Sequence, residues 1–329
     1  MKRYELAAKE LRSLCWAGDD LIDWIGGVRI GRDGKPQRFG CGESYRFDAA
    51  VGSGEVGVMF EMLGTKGRIG RWNGELPRDH FVPIGFTELR EIDRSYYHAA
   101  AYGYPVCVFA LPDGREAIAH CPRRHDTLEI ELVDGTPLTR RDVPAEDVFH
   151  GRLAASPDGR WLLSNGWVWQ PYNVACVYDV ARCLVEPAHL STAGLTLDLG
   201  PLEAEVDAAT LSGDRLIASA SAERPGLSIV ELPSGKHLGY AELPEYLGQR
   251  IMAWGAGHIV AFDGHPRVVR LDGPRAAIVH VWEDLEVPSW SQPNVNLAPP
   301  TAPYLAIDPK RARFAIADGD RVVVIAAQP

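Results

Sequence analysis

The chain has 329 residues, 46% hydrophobic and 24% charged, with Gly 33 and Pro 24 marking frequent turns. That balance excludes a disordered chain, a collagen-like fibre and a coiled coil. A formal charge of −10 excludes the global cationic footprint of a nucleic-acid or anionic-membrane binder, so no nucleic acid and no membrane are expected as partners.

In chain order, residues 3–7 read as a strand, with a short helix over 4–14 as the alternative, since Leu6, Ala7, Leu11 and Leu14 keep helical spacing. The same stretch mixes Lys, Arg and Glu without an apolar core, which is not the pattern of a secretory signal. A cytoplasmic protein with reduced thiols is therefore expected. Next, residues 14–16 turn at Ala17-Gly18-Asp19 into 21–25, and 47–51 turn at Gly52-Ser53-Gly54 into 56–62. The third unit is clearer: 106–110, a Pro112-Asp113-Gly114 turn, 115–119, then 127–133. The fourth is clearest, with 151–155, Ser156-Pro157-Asp158-Gly159, 160–164, then 174–179. Proline presets φ for such a turn and glycine takes the conformation that other residues resist. Strand, turn, strand, loop, strand is a β-meander, and it recurs around Gly213, Gly257 and Lys310.

The seven first turns, from Gly18 to Lys310, fall about 49 residues apart on average. That is close to the ~40–50 residues per blade of propeller repeats. Residues 37–40, 136–138, 237–241 and 277–281 are candidates for fourth strands. The last unit has none of its own, so residues 3–7 are expected to pair with it and close the ring, removing an exposed edge. The expected fold is all-β: a single seven-bladed β-propeller of four-stranded blades over residues 1–329, with the N-terminal strand closing the last blade.

Ser156-Pro157-Asp158-Gly159-Arg160, Ser164-Asn165-Gly166 and Val177-Tyr178-Asp179-Val180 resemble a blade of the WD-repeat family. There an S-P-D-G turn joins the two inner strands and a W-D or Y-D dipeptide closes the third. The match is good over the fourth unit and partial over the third and fifth. The Gly-His that opens a typical repeat stands reversed here as His150-Gly151. The chain looks like a divergent bacterial WD-repeat-like propeller. The resemblance implies a scaffold for protein contacts, an inference from fold analogy.

Catalytic motifs are missing: there is no G-x-S-x-G, H-E-x-x-H, Walker loop or dinucleotide fingerprint. Gly64-Thr65-Lys66-Gly67-Arg68-Ile69-Gly70 lacks a G-K-S/T ending and reads as a hairpin loop. Asp318-Gly319-Asp320 lacks the remaining ligands of a calcium loop and reads as a hairpin turn. The cysteines, at 15, 41, 107, 121, 176 and 183, form no C-x-x-C pair and read as small buried apolar side chains. His98, His120, His125 and His265 fall in or beside loops of one face, His150 near the entry to an inner strand, and Asp126, Asp207 and Asp263 in comparable places; inner-strand entries around a ring converge on a central channel. A His/Asp metal site there is geometrically possible, but nothing fixes these residues within ligand distance, so neither metal nor cofactor is expected.

Aromatic residues carry the stronger signal. Trp161, Trp167, Trp169 and Tyr172 crowd one stretch. Trp161 belongs in a strand, packed between blades. Trp167, Trp169 and Tyr172 fall in a loop, where large aromatics are typical binding anchors. The competing reading is that this loop folds over and buries its own rings. Tyr96 and Tyr97 open on the same face, and His98, Arg123, Arg124 and His125 would add a basic rim that favours an acidic segment or carboxylate. The Pro-rich run 288–303, with Trp290, reads as an ordered loop across that face. The function these features point to is a non-enzymatic, monomeric scaffold that binds a protein or peptide at an aromatic top-face site. The alternative is a propeller enzyme, lactonase- or lyase-like and possibly metal-dependent, with its site at the channel mouth.

Overall fold

Short apolar runs split by tight turns fold here as antiparallel meanders. The computed structural model describes residues 1–40, 46–73, 85–169, 172–202, 205–220, 225–255, 257–288 and 304–327. The strand β1 (Lys2–Ala7) comes first. A sheet of β2 (Cys15–Ala17), β3 (Asp20–Asp23), β4 (Val28–Ile30) and β5 (Pro36–Arg38) follows. The next holds β6 (Ala49–Ser53), β7 (Val56–Phe60), β8 (Lys66–Trp72) and β9 (Phe86–Asp93). Two three-stranded sheets come after it. One is β10 (Val106–Ala110), β11 (Glu116–His120) and β12 (Glu129–Leu132); the other is β13 (Leu153–Ala155), β14 (Trp161–Val168) and β15 (Tyr172–Asp179). The helix α1 (Val180–Val185), capped by the Asp179 carboxylate, leads away from β15.

Two more meanders follow: β16 (Ala208–Leu211), β17 (Arg215–Ala220), β18 (Gly226–Glu231) and β19 (His237–Glu242), then β20 (Ile251–Ala253), β21 (His258–Ala261), β22 (Arg267–Asp272) and β23 (Arg275–Val281). They do not stand as separate blades. Their outermost strands meet edge to edge, with β19 parallel to β23 at Glu242 and Arg275 and the Glu242 N–H donating to the Pro274 carbonyl at 3.1 Å. The result is one eight-stranded sheet, ordered β16-β17-β18-β19-β23-β22-β21-β20. The last sheet is β24 (Tyr304–Asp308), β25 (Arg313–Asp318) and β26 (Arg321–Ala326), completed by β1.

The seven-bladed expectation is therefore corrected: among the described residues, five three- or four-stranded sheets accompany one eight-stranded sheet. Two of the small sheets also stop at three strands. Residues 136–138, expected as a fourth strand, make an isolated bridge between Pro137 and Glu131. The N-terminal residues do pair with the last meander, in register from Lys2 opposite Ala326 to Ala7 opposite Arg321. The strand wins over the helix at 3–7 because alternation serves both sides: Leu6 is buried while Arg3 forms an ion pair with Asp284 at 2.6 Å.

Hydrophobic clusters lie between successive meanders and hold the sheets face to face. Trp161, fully buried as expected, packs with Leu211, Leu216 and Val230 of the next meander. The ring closes where the last sheet meets the first. There Trp16 packs against Ala306, Ala315 and Val324, its Nε1 donates to the Ala306 carbonyl at 3.3 Å, and the Arg313 guanidinium lies 3.7 Å from its ring centre.

In the fourth unit the Ser156 hydroxyl accepts from the Trp161 N–H at 2.9 Å and donates to Asp158 at 2.5 Å. Gly159 sits at φ +72°, and a side chain there would run into the Ala110 carbonyl of the neighbouring sheet. Glycine is needed both for the turn and for the approach of the two sheets. Despite the reversed dipeptide, buried His150 places its Nδ1 3.1 Å from Ser164 Oγ, and burial pushes its pKa down to about 4. Cys15, Cys107, Cys121, Cys176 and Cys183 are unpaired and buried, and burial raises their thiol pKa values. Cys41 lies outside the described residues, as do Trp290 and nearly all of the Pro-rich run. Among the described residues, no helix is long and apolar enough to cross a membrane.

Candidate functional site

Because strands alternate in direction, the β9–β10 connection, the β11–β12 loop and the β14–β15 hairpin open at the same end of the molecule. The long β12–β13 connection, residues 133–152, passes beneath them. These four segments bring seven rings together.

The floor is Phe149, fully buried, whose backbone exchanges hydrogen bonds with Trp167 at 2.9 and 3.0 Å. That bridge extends the β13–β14 side of the sheet and lays the two rings flat on one another, with centroids 4.2 Å apart and planes 17° off parallel. Trp167 is 3% exposed. Tyr102, also buried, meets Phe149 edge-on at 5.4 Å.

Over this floor stand the accessible rings. Trp169, 48% exposed, meets Phe149 at 5.5 Å, Trp167 at 5.0 Å and His98 at 5.3 Å, all edge to face. Tyr97, 44% exposed, contacts His98 at 4.4 Å and His125 at 4.8 Å. The half-buried His125 ring lies 4.2 Å from Phe149. Offset and T-shaped pairs of this kind are favourable contacts for π systems.

The β9–β10 connection is held by a buried cation. Arg94 donates to the carbonyls of Gly64 and Ala99, both at 2.6 Å, and of Tyr102 at 3.1 Å. Its guanidinium also lies over the rings of Tyr102 and Tyr104 at 4.7 and 5.0 Å. Within the loop so fixed, His98 has φ 52°, in the left-handed region. Histidine tolerates that region better than most residues, and the tight turn there presents His98 to Trp169 and Tyr97 to His125.

The predicted residues therefore divide. Tyr97, His98, His125, Trp167 and Trp169 come together. Trp167 belongs to the packed floor, so for this ring the self-burying reading holds. Tyr96, 87% exposed, and Tyr172, 47% exposed, stand beside the cluster without ring contacts to it among the described residues. Arg123 and Arg124 do not form a free basic rim. Arg123 pairs with buried Glu129 at 2.5 Å, and Arg124 with Asp126 at 2.5 Å. Burial alone would raise the Asp126 pKa, but the hydrogen bonds from Arg124 and Thr127 hold its carboxyl below the usual carboxylate range. His125 Nε2 lies 2.7 Å from Asp147 Oδ1.

Most of the suggested His/Asp set is dispersed. His120 pairs with Glu131, His265 with the Leu285 carbonyl, and Asp207 with Asn173. One group does converge: ligand atoms of His125, Asp126 and Asp147 lie within 4.8 Å of one another. One imidazole and two carboxylates suit a borderline divalent cation. Arg124 already occupies the Asp126 carboxylate.

Sequence reasoning missed Phe149, Arg94, Tyr102 and Asp147. Phe149 and Asp147 act on segments 18 or more residues away, Arg94 and Tyr102 partly within their own connection, and no regular spacing marks any of them.

No family model matches the chain, and no curated protein matches it in sequence. Among solved structures, it is similar to a chain of one described as the mitotic checkpoint complex. That match has 12% identity and a TM-score of 0.56, and covers 100% of this chain and 94% of that one. It is likewise similar to the β-propeller domain of Myceliophteria thermophila Cps50 (Swd1), with 12% identity, a TM-score of 0.54, and coverage of 99% and 100%. At that identity the likeness shows the fold alone: the chain is an all-β propeller, in keeping with its WD-like fourth unit.

Proposed function

We propose that this chain is a non-enzymatic scaffold, monomeric and cytoplasmic, whose protein or peptide partner docks on the aromatic cluster at one end of the propeller. The observation that carries the reading is the exposure of Trp169, Tyr97 and His98 on a buried Phe149–Trp167 floor. Half-exposed rings on a rigid base offer contact area at small entropic cost. Tyr96 and Tyr172 flank the cluster and would widen the contact. The arginines beside it are already paired, so the favoured partner chemistry is an apolar or proline-containing segment rather than an acidic one. One of the similar structures is a complex, which supports a role in assembly.

The test is Trp169→Ala with Tyr97→Ala, compared with the wild-type chain in capture from lysate followed by mass spectrometry. The expected result is an unfolding transition close to wild type and loss of specific partners. Retention of the full partner set would overturn the assignment.

The His125–Asp126–Asp147 group favours one second reading, a metal-dependent enzyme. Stoichiometric metal in the purified protein, lost in His125→Ala, would support it.

A further inference from the structure

The fourth sheet ends at β15. Among the described residues, the chain beyond it does not return alongside as a strand. It makes α1 and then touches β15 at two points. Leu195 N–H donates to the Val177 carbonyl at 2.8 Å, and Val206 N–H to the Asn173 carbonyl at 2.9 Å. The register shows which way the intervening backbone faces. Trp167 stands opposite Asn173, yet exchanges its own backbone bonds with Phe149 on the far side. Asn173 and Trp167 are thus a non-hydrogen-bonded pair, and every second residue from Asn173 aims its N–H and C=O away from β14. Ala175, midway between the two anchors, aims both groups outward. Among the described residues, no backbone group bonds them there.

Ala175 opens on a groove of about 390 Å³. Val174 and Ala175 line it from the strand, and Leu195 and Leu197 from the departing chain. The exposed Glu146, whose Oε2 accepts from the Ala193 N–H at 2.9 Å, and the exposed Asp147, 2.7 Å from His125, are also part of the lining, and among the described residues no cationic side chain is. Between the two anchored positions the open edge is residues 174–176, about 10 Å at ~3.3 Å per residue, room for about three residues of an extended chain.

We propose that this groove takes an extended peptide of alternating apolar and basic residues, which adds to β15 as a short fourth strand. Ala175 supplies one main-chain donor and one acceptor, the leucines take the apolar side chains, and the two carboxylates take the basic ones. This is the recognition mode of strand addition, in which main-chain bonds give affinity and alternate side chains give specificity. The net charge of −10 favours the same cationic ligand at longer range. The inference does not rest on the aromatic cluster.

The probe is a fluorescein-labelled heptapeptide of alternating Lys and Val, read by fluorescence anisotropy against the full chain. Saturable binding is expected with a Kd below about 1 mM. An alternating Glu and Val peptide, and the Lys–Val peptide with its valine nitrogens methylated, should each bind at least about tenfold more weakly. Ala175→Pro removes the outward N–H without removing a bond to β14, a position where an edge strand tolerates proline. It should lose binding about tenfold, and so should Leu197→Lys, which leaves β15 untouched. Trp169→Ala should bind the peptide as wild type does, which separates this groove from the aromatic site. Absence of saturable binding, equal binding of the methylated or glutamate peptide, or unchanged affinity in both variants would overturn the proposal.

Discussion

Trp167 and Trp169 are two residues apart and both contact Phe149, yet they should respond oppositely to alanine. Trp167 is 3% exposed and stacked on a fully buried Phe149. Its removal opens a cavity beside the rings of Phe149 and Trp169, and buried Trp→Ala changes cost about 3–5 kcal/mol. Of that, the stacked pair accounts for roughly 0.5–1.5 kcal/mol beyond area. Trp169 keeps 48% of its surface in water. Half of a tryptophan's ~150–250 Å² at ~25 cal/mol/Å² gives at most about 2–3 kcal/mol, and the extended-chain reference makes that an upper bound. Equilibrium urea denaturation of the single variants reads the difference directly. Trp167→Ala should shift the midpoint strongly and Trp169→Ala weakly, while only the latter retains the fold and loses the partner. Equal destabilisation by the two would refute the division into floor and contact surface.

Deleting residues 1–8 removes the six-residue pairing of β1 with β26 and the Arg3–Asp284 ion pair. The thermal midpoint should fall by several degrees, and an unchanged melt would show that closure by this strand contributes nothing. Arg94→Ala leaves the carbonyls of Gly64, Ala99 and Tyr102 without their donor. It should cost about 2–4 kcal/mol and open residues 95–104 to limited proteolysis, with Arg94→Lys rescuing little because one ammonium cannot reproduce the planar fork. His150 has a folded pKa of about 4, below the ~6.5 of an unfolded histidine. Below pH 6.5 the unfolded chain takes up a proton that the folded chain refuses. The stability contributed by neutral His150 is therefore whole above about pH 6.5 and is lost as pH falls toward 4, by about 3 kcal/mol. His150→Gln should flatten the stability profile in that window, as measured by denaturation at each pH.

The meanders were legible because each is local. A period-two apolar run, a turn with glycine at positive φ and a second run fall within about a dozen residues, as around Gly159 and Gly114. The joining of β19 to β23 was not legible. Glu242 and Arg275 each look like part of the outermost strand of a separate unit, and only the geometry of neighbouring sheets decides whether such edges meet. The same distinction governs the site. The exposed aromatics announced themselves by residue type on a loop, so Tyr97, His98 and Trp169 could be picked out. Phe149 acts through contacts with chain far away in sequence, and Arg94 through carbonyls both distant, at Gly64, and near, at Ala99 and Tyr102, to all of which periodicity is blind.

The arginines teach a different lesson, because their partners were close at hand. Asp126 lies two residues after Arg124, and Glu129 six residues after Arg123, within a single β11–β12 excursion. A loop that returns on itself within so few residues brings such pairs together at little entropic cost, and a bidentate guanidinium–carboxylate contact neutralises both charges for any third party. Counting Arg123 and Arg124 as a rim summed one sign and omitted the other. With Glu129, Asp126 and Asp147 included, this face of the cluster no longer selects an acidic ligand. Its specificity passes to the rings, whose edges and faces discriminate by shape, and to Asp147, which pairs with His125 on one side and lines the groove beside β15 on the other. The two proposed surfaces thus meet at a single carboxylate, so Asp147→Asn should weaken the cationic peptide in the groove while leaving the stacked floor of the aromatic cluster intact. If that substitution leaves the peptide's affinity unchanged, Asp147 is not part of what the groove reads.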